Sequence, residues 1–148
     1  MKILIINGPN LNMLGKRDDK FYGIEDFEKI LEGLRDAFPD FELDYFQSNT
    51  EGAIIDRIQA LEEERFQGLV INAGAYTHYS IAIRDALEIL EIPAVEIHMS
   101  NVYKREPFRQ ISVISAVCQG VIAGFGKDSY RLGIEWFNLN QRKKVGFK

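Results

Sequence analysis

The stretch Lys2-Ile-Leu-Ile-Ile-Asn-Gly-Pro-Asn10 contains an aliphatic run that stops at a group of turn-forming residues. A run that is apolar at every position is typical of a strand covered on both faces, as in parallel sheets. Residues 68–72 repeat this pattern, and residues 93–98 repeat it after a proline at the first position. These runs predict parallel strands in the middle of a sheet.

Apolar residues recur at steps of three and four between these runs, which predicts amphipathic helices. The first predicted helix covers residues 24–38 and stops before Pro39. The second begins at Ser48, three residues ahead of Glu51, in the spacing of a capping box, and runs to Phe66. The remaining predicted elements are helices over 80–90 and 127–137 and strands over 41–47 and 118–125.

Strands that alternate with helices predict βαβ units with right-handed crossovers and a parallel sheet. Five strands in this length favour an α/β fold of the flavodoxin-like type, a three-layer sandwich with a five-stranded parallel sheet. We expect a single domain over residues 1–137, followed by a polar, mobile tail over 138–148. The uncharged stretch 110–126 is expected to hold a buried strand.

The composition is that of one globular domain, with 148 residues of which 46% are hydrophobic and 27% charged. A net charge of −4 provides no general basic field, which argues against nucleic acid or an anionic membrane as a partner. The apolar run 3–6 is too short for an export signal, and 110–126 is too short for a membrane span. Together with the single Cys118, these features predict a cytoplasmic protein with a reduced thiol.

The connection after the first strand, residues 8–23, is much longer than the usual βα loop of about 2–6 residues. Gly15 and Gly23 could act as the hinges of a lid that carries Arg17 and Tyr22. The alternative is a solvated loop in which Tyr22 is a partly buried aromatic side chain.

Glu96, His98 and Ser100 alternate along the predicted fourth strand and therefore share one of its faces. A buried carboxylate beside an imidazole can fix the tautomer of the ring and leave its other nitrogen to give or take a proton. The alternative is a Glu–His pair with a structural role only. Asn72 and His78 follow the third strand, where the alternative is a turn with a surface histidine.

The cationic segment 103–109 follows the fourth strand, and Asn10 follows the first. Arg105 and Arg109 could hold a carboxylate or hydroxyl groups, unless the segment is a solvated turn. Parallel α/β sheets bind ligands beyond the carboxyl ends of their strands, so we expect the functional site at the ends of the first, third and fourth strands.

Several other site classes find little support. Two histidines twenty positions apart and one cysteine lack the spacing of a metal site. Residues 124–129 resemble a dinucleotide fingerprint without its third glycine, and they follow the fifth strand rather than the first. The absence of serine and threonine before Ser48 leaves the first loop without hydroxyls for a flavin phosphate. We predict no metal and no cofactor, with a flavin-binding electron carrier and a non-catalytic flavodoxin-like module as alternatives.

Several segments stand in order along the chain: Asn7-Gly-Pro-Asn-Leu-Asn-Met-Leu-Gly15, Arg17, Tyr22-Gly23, Asn72-Ala-Gly-Ala-Tyr-Thr-His78, Arg84-Asp85, Glu96-Ile-His-Met-Ser-Asn101 and Arg105-Glu-Pro-Phe-Arg109. Together they resemble the type II 3-dehydroquinate dehydratases over nearly all of residues 1–137. The resemblance implies reversible anti elimination of water from 3-dehydroquinate to 3-dehydroshikimate through an enolate, in aromatic biosynthesis by the shikimate pathway or in quinate breakdown. It also implies a flavodoxin-like fold, no cofactor, and a homo-oligomer that is a dodecamer of trimers.

The sequence departs from this family at three positions. Asp18 and Asp19 stand where the family lid commonly has Glu-Pro, and Tyr103 stands where a histidine is common. Loss of the proline predicts a looser lid.

The resemblance implies that Tyr22 is the base that removes a proton from C2 of the substrate. A free phenol with a pKa of about 10 is ionised in only about one molecule in a thousand near pH 7. Arg17, with Arg105 nearby, would stabilise the phenolate, because one cation at about 4 Å and an effective dielectric of about 20 contributes roughly 4 kcal/mol. A lysine Schiff base, the competing route, is disfavoured because the lysines lie in polar surroundings or at element ends.

The remaining roles are also implied by the resemblance. Asn10 would hold a water or the enolate oxygen, and His98, oriented by Glu96, would protonate the leaving C1 hydroxyl. Asp85 would come from a neighbouring subunit. The substrate carboxylate would be held by Asn72, Ser100 and the backbone at Met99, and the hydroxyls would be bound by His78, Arg109 and Asp85.

Overall fold

The computed structural model describes residues 1–16 and 25–146, with side chains as far as Gln141. Five parallel strands form one sheet in the order β2-β1-β3-β4-β5. Four α-helices in the described ranges connect and cover the strands, which confirms the predicted α/β fold. The strands are β1 (Lys2–Asn7), β2 (Glu42–Gln47), β3 (Gly68–Asn72), β4 (Ala94–His98) and β5 (Gly120–Ala123), and the helices are α1 (Phe27–Ala37), α2 (Glu51–Gln59), α3 (Ile81–Glu88) and α4 (Asp128–Gly146).

Two apolar layers cover the sheet. Along β1, Ile3 and Ile5 pack on one face together with residues of α1 and α4. Leu4 and Ile6 pack on the other face together with residues of α2 and α3. All four side chains are fully buried, which explains why this strand is apolar at every position.

The strand order reverses between β1 and β3, because β1 also pairs with β2 whereas β3 continues to β4. Asn7 and Asn72 are register partners at the carboxyl ends of these two strands. This is the edge at which parallel α/β sheets bind ligands. The backbone N–H of Gly8 donates to the carbonyl of Asn72, and a Cβ at position 8 would collide with the carbonyl of Ala73. Glycine is therefore required for this close approach of the two loops.

The stretch 110–126 differs from its prediction. Short 3-10 helices span Pro107–Gln110 and Ser115–Val117, and β5 covers only Gly120–Ala123. Within the sheet β5 pairs only with β4, so it is an edge strand, and Val121 is 47% exposed. The prediction of a buried strand was therefore wrong, because low charge did not identify an edge position.

Helices α2 and α4 also differ from their predicted limits. Helix α2 ends at Gln59, and the chain then turns to a positive φ at Arg65, so the helix does not run to Phe66. Thr50 is its N-cap residue, whereas the hydroxyl of Ser48 accepts from the N–H of Thr50 in the preceding turn. Helix α4 continues to Gly146, beyond the predicted end at Phe137. The domain limit at residue 137 and the mobility of the tail stay predictions.

Candidate active site

A cavity of about 130 Å³ lies at the carboxyl ends of β1, β3 and β4. Its lining comes from the segments that follow these three strands, as the sequence predicted. The structure therefore brings together residues that are widely separated along the chain. The predicted site residues that line the cavity are Asn10, Asn72, His78, His98, Met99, Ser100, Arg105 and Arg109.

The Glu96 carboxylate and the His98 ring form a buried pair at this cavity. Oε1 of Glu96 lies 2.6 Å from Nε2 of His98. The hydroxyls of Ser115 and Ser112 donate to Oε2 of Glu96 over 2.5 and 3.2 Å. Burial raises the pKa of Glu96, but the hydrogen bonds from His98 and Ser115, together with the charge of His98 and the Ser112 hydroxyl, outweigh burial and hold it below its ordinary value.

This geometry fixes the tautomer of His98. An ionised carboxylate only accepts hydrogen bonds, so Nε2 carries the proton that lies toward Glu96. Nδ1 is then the nitrogen that can exchange a proton with a bound molecule. His98 is 8% exposed and lines the cavity, which is the arrangement that a general acid requires.

The other histidine has a neutral partner. Nδ1 of His78 donates to the carbonyl oxygen of Ile111 over 2.7 Å, because a carbonyl can only accept. Nε2 is then the nitrogen left for a ligand. His78 therefore suits hydrogen bonding to a substrate hydroxyl.

Asn72 belongs to a buried network at the end of β3. Its Nδ2 donates to the hydroxyl of Tyr130 over 2.9 Å, and that hydroxyl donates to Oδ1 of Asn7 over 2.7 Å. Oδ1 of Asn72 accepts from the N–H of Gly74 over 3.2 Å. These bonds fix the amide and leave one N–H of Nδ2 for a molecule in the cavity.

Asn10 also lines the cavity. It has a left-handed backbone conformation with φ 68°, which asparagine tolerates better than most residues. Its backbone N–H donates to Oδ1 of Asn49 over 3.0 Å, which fixes the loop after β1. The side chain is thereby presented from a defined turn.

Two guanidinium groups supply positive charge to the cavity. Nη1 of Arg105 donates to the hydroxyl of Ser100 over 3.3 Å. Nε of Arg109 donates to Glu106 over 2.9 Å. An anionic ligand would meet these cations although the chain as a whole is acidic.

The remaining predicted residues to be placed are Asp85, Arg17 and Tyr22. Asp85 is exposed on α3 and does not line the cavity of its own chain. Arg17 and Tyr22 lie outside the described residues, as does the rest of the predicted lid beyond Lys16.

The sequence reasoning missed Ser112, Ser115 and Tyr130. A buried carboxylate at position 96 requires hydrogen-bond donors, and this requirement was the available signal. It did not show which hydroxyls serve, because the two serines are 16 and 19 positions away, ahead of the predicted fifth strand. Tyr130 was not singled out because it fits the apolar pattern of the last helix.

Residues 1–16 and 25–146 contain neither a candidate metal site nor a candidate membrane-spanning helix. No group of three or more His, Cys, Asp or Glu side chains there could hold a metal ion. None of the helices in the same ranges has the length and apolar character needed to span a membrane.

Comparison with known proteins identifies the family of the chain. Residues 1–138 match the family described as dehydroquinase class II. A 3-dehydroquinate dehydratase of Chlorobaculum tepidum is 53% identical over 133 residues, 89% of this chain and 90% of that protein. A 3-dehydroquinate dehydratase of Thermotoga maritima is 52% identical over 141 residues, 92% of this chain and 94% of that protein.

The fold agrees as well. The crystal structure of type II dehydroquinase from Butyrivibrio crossotus gives a TM-score of 0.90 at 49% identity and covers 93% of this chain and 97% of that chain. The likeness thus extends over nearly the whole fold. It confirms the resemblance seen in the sequence: this chain belongs to the class II dehydroquinase family.

Proposed function

We propose that this protein is a 3-dehydroquinate dehydratase that converts 3-dehydroquinate reversibly to 3-dehydroshikimate. The observation that carries the proposal is the His98–Glu96 pair at the cavity, 2.6 Å apart, beside two arginines. Membership of the class II dehydroquinase family supports the same reaction. The substrate is a small hydroxylated carboxylate, which fits a polar cavity with local positive charge.

His98 is the general acid of the proposed reaction. Nδ1 gives a proton to the C1 hydroxyl as the C1–O bond breaks, and water leaves. The negative charge of Glu96 stabilises the imidazolium before this transfer. Because Glu96 holds Nε2, the ring cannot rotate away from the leaving group.

Tyr22 is the proposed base. As a phenolate it takes the proton from C2, next to the C3 ketone, and the electron pair left on C2 forms the enolate. Arg17 and Arg105 stabilise the phenolate, and Asn10 holds a water or the enolate oxygen. Collapse of the enolate then forms the C1–C2 double bond as the hydroxyl leaves in an anti elimination.

The other cavity residues bind the substrate. The Asn72 amide, the Ser100 hydroxyl and the backbone at Met99 hold its carboxylate, while His78 and Arg109 bind its hydroxyls. Asp85 is proposed to bind in the cavity of a neighbouring subunit, which fits its exposed position on α3.

We also propose a homo-oligomer, a dodecamer of trimers, and a cytoplasmic location. Large exposed apolar side chains such as Tyr79, Ile81, Phe108 and Phe125 support association of subunits, since each is more than half exposed in the single chain. Sedimentation of the purified protein tests the oligomer, and cell fractionation tests the location.

A direct assay tests the activity. The product has a C1–C2 double bond conjugated with the C3 ketone and the carboxylate, so ultraviolet absorbance should grow when purified protein is mixed with 3-dehydroquinate. The His98→Ala variant is the matched control and should show a rate lower by about 10². A folded wild-type protein without turnover would contradict the proposal.

The same assay tests the predicted independence from metals, cofactors and lysine chemistry. Dialysis against a strong chelator should leave turnover unchanged, and loss of activity that one divalent ion restores would contradict the mechanism. Borohydride added with substrate should trap no lysine adduct in the mass spectrum. A yellow purified protein would instead favour the flavin-binding alternative.

A further inference from the structure

The two oxygens of the Glu96 carboxylate have separate partners. Oε1 bonds His98, whereas Oε2 accepts the hydroxyls of Ser115 at 2.5 Å and Ser112 at 3.2 Å. The Glu96 residue is 0% exposed. In the described part of the chain, these three side chains therefore replace the water that an exposed carboxylate would bind.

A buried carboxylate stays ionised only if its charge is compensated by donors or cations. If Oε2 lost its hydroxyl partners, the carboxylate would more readily take a proton. A protonated Glu96 would no longer stabilise positive charge on His98. The hydroxyls of Ser112 and Ser115 therefore act on His98 through the Glu96 carboxylate.

The serines belong to a segment that also contacts His78. The hydroxyl of Ser112 accepts from the N–H groups of Ile114 and Ser115, which orders the turn that presents Ser115. In the same segment, the carbonyl of Ile111 accepts from His78. The position of this segment is also fixed by the N–H of Val113, which donates to the carbonyl of Thr77 over 2.9 Å.

We propose that Ser115, with the support of Ser112, is a positioning residue for His98 and acts through the Glu96 carboxylate. This inference rests on the proposed dehydratase function for its kinetic consequences. In geometric terms, Ser115 orients the Glu96 carboxylate and keeps it charged. Glu96 in turn holds the hydrogen bond at Nε2 of His98.

Other titratable and charged groups surround the pair. His78 lies on the turn after β3, with its ring centroid 6.5 Å from that of His98. Arg105 and Arg109 line the cavity from the segment after β4. Cys118 lies before β5, and burial, with a smaller contribution from the charge of Glu96, raises the pKa of its thiol to about 12. The thiol is therefore neutral in the range where the enzyme would be assayed.

Ser115→Ala and Ser115→Thr form the test. Ser115→Ala should lower kcat about tenfold and change KM less than twofold. The acidic limb of its kcat profile should move to higher pH, because Glu96 takes a proton more easily without the hydroxyl. Ser115→Thr keeps a hydroxyl and should restore the wild-type kcat and the wild-type pH of the acidic limb.

Two further variants complete the set. Ser112→Ala removes the longer bond and should move the acidic limb in the same direction by a smaller amount. Ser129→Ala removes another buried hydroxyl, one that accepts from the N–H of Phe125 and does not touch Glu96. Ser129→Ala should therefore leave the acidic limb of the kcat profile at its wild-type pH. Wild-type kcat and pH profile in folded Ser115→Ala would overturn the inference.

A second readout separates this inference from the proposed function. The chain has only two histidines, so ¹⁵N-labelled histidine gives a simple spectrum in which His78→Ala assigns His98. Ser115→Ala should shift the Nε2 signal of His98, and Ser115→Thr should return it toward the wild-type value. An unchanged signal in Ser115→Ala would overturn the positioning role, whereas an inactive wild-type protein with the shift would overturn the proposed function alone.

Discussion

The imidazole rings of His78 and His98 lie nearly parallel, with centroids 6.5 Å apart and an interplanar angle of 16°. They differ in the partner that holds each ring: a carboxylate for His98 and a backbone carbonyl for His78. A carboxylate stabilises positive charge on its imidazole more strongly than a neutral carbonyl does. Two similar side chains at one cavity are thereby prepared for different tasks.

We therefore expect different kinetic effects from the two alanine variants. His98→Ala should lower kcat by about 10² or more with a small change in KM, since a positioned general acid typically contributes about 10²–10⁴-fold. His78→Ala should mainly raise KM. Steady-state kinetics of both variants checks this, and near-normal kcat in His98→Ala would make the Glu96–His98 pair structural.

Tyr22→Phe tests the proposed base. The substitution keeps the ring but deletes the oxygen that ionises, so most turnover should be lost while folding and oligomer size stay unchanged. The measurements are the ultraviolet assay, circular dichroism and sedimentation. A fully active Tyr22→Phe enzyme would rule out this base and leave a water held by Asn10, or His98 itself, as the next candidate.

Arg17→Lys tests the stabilisation of the phenolate. Lysine keeps the charge but loses the planar fork of the guanidinium, so it should hold the phenolate less well. The base then ionises only at higher pH, and the acidic limb of the kcat/KM profile should move in that direction. The pH profiles of Arg17→Lys and wild type are the comparison, and coincident profiles would remove Arg17 from this role.

Tyr130→Phe tests the buried network at the strand ends. The variant leaves the side-chain oxygen Oδ1 of Asn7 and one Nδ2 hydrogen of Asn72 without the hydroxyl that joins them. Leaving such groups unsatisfied typically costs about 1–3 kcal/mol. Denaturant unfolding of Tyr130→Phe should show a loss of this size, whereas Tyr103→Phe, at a position 71% exposed, should show almost none.

The Tyr130 network also predicts a pH dependence. Burial raises the pKa of Tyr130, against the smaller opposing effect of its hydrogen bond from Asn72. The neutral phenol is thus favoured in the folded state, so its contribution to stability is fully present below the unfolded pKa near 10 and is lost as the pH rises above that value. Tyr130→Phe should show a smaller alkaline loss of unfolding free energy than wild type, and equal losses would contradict the assignment.

Cys118 should react slowly in the folded protein. Burial, with a minor contribution from Glu96, raises the pKa of its thiol to about 12, so at pH 8 only about one thiol in 10⁴ is a thiolate. Because this is the only cysteine, one equivalent of thiol should react with a disulfide reagent rapidly in guanidinium chloride and at least about 10²-fold more slowly without it. Equal rates would show an accessible thiol.

The central strands could be predicted from local sequence alone. Residues 2–7 and 68–72 coincide with β1 and β3, because a strand buried on both faces is apolar at each position and is followed by turn residues. The edge strand β5 has no such pattern, and its limits depend on pairing with β4. Helix α2 ends at Gln59, although apolar residues continue at helical spacing as far as Phe66, so periodicity does not mark its end.

The residues of the candidate site were likewise predictable only in part. His98, Glu96 and Asn72 were predictable because strand alternation and the strand-end rule place them locally. The donors that hold them were not, since Ser115 reaches Glu96 from 19 positions away and Tyr130 reaches Asn7 from 123 positions away. Such contacts are consequences of tertiary packing and leave no periodic signal in the sequence.

The position of α4 has a consequence for synthesis of the chain. All five strands are complete at Ala123, yet Tyr130, which joins Asn7 to Asn72, and Phe137, whose ring packs against Gly68, emerge from the ribosome afterwards. A nascent chain that stops before α4 therefore contains every strand. The amides of Asn7 and Asn72 still lack their shared hydroxyl, and the face that α1 and α4 cover together lacks the part that α4 supplies. A premature stop codon just ahead of residue 130 should thus give a product that chaperones retain and proteases remove.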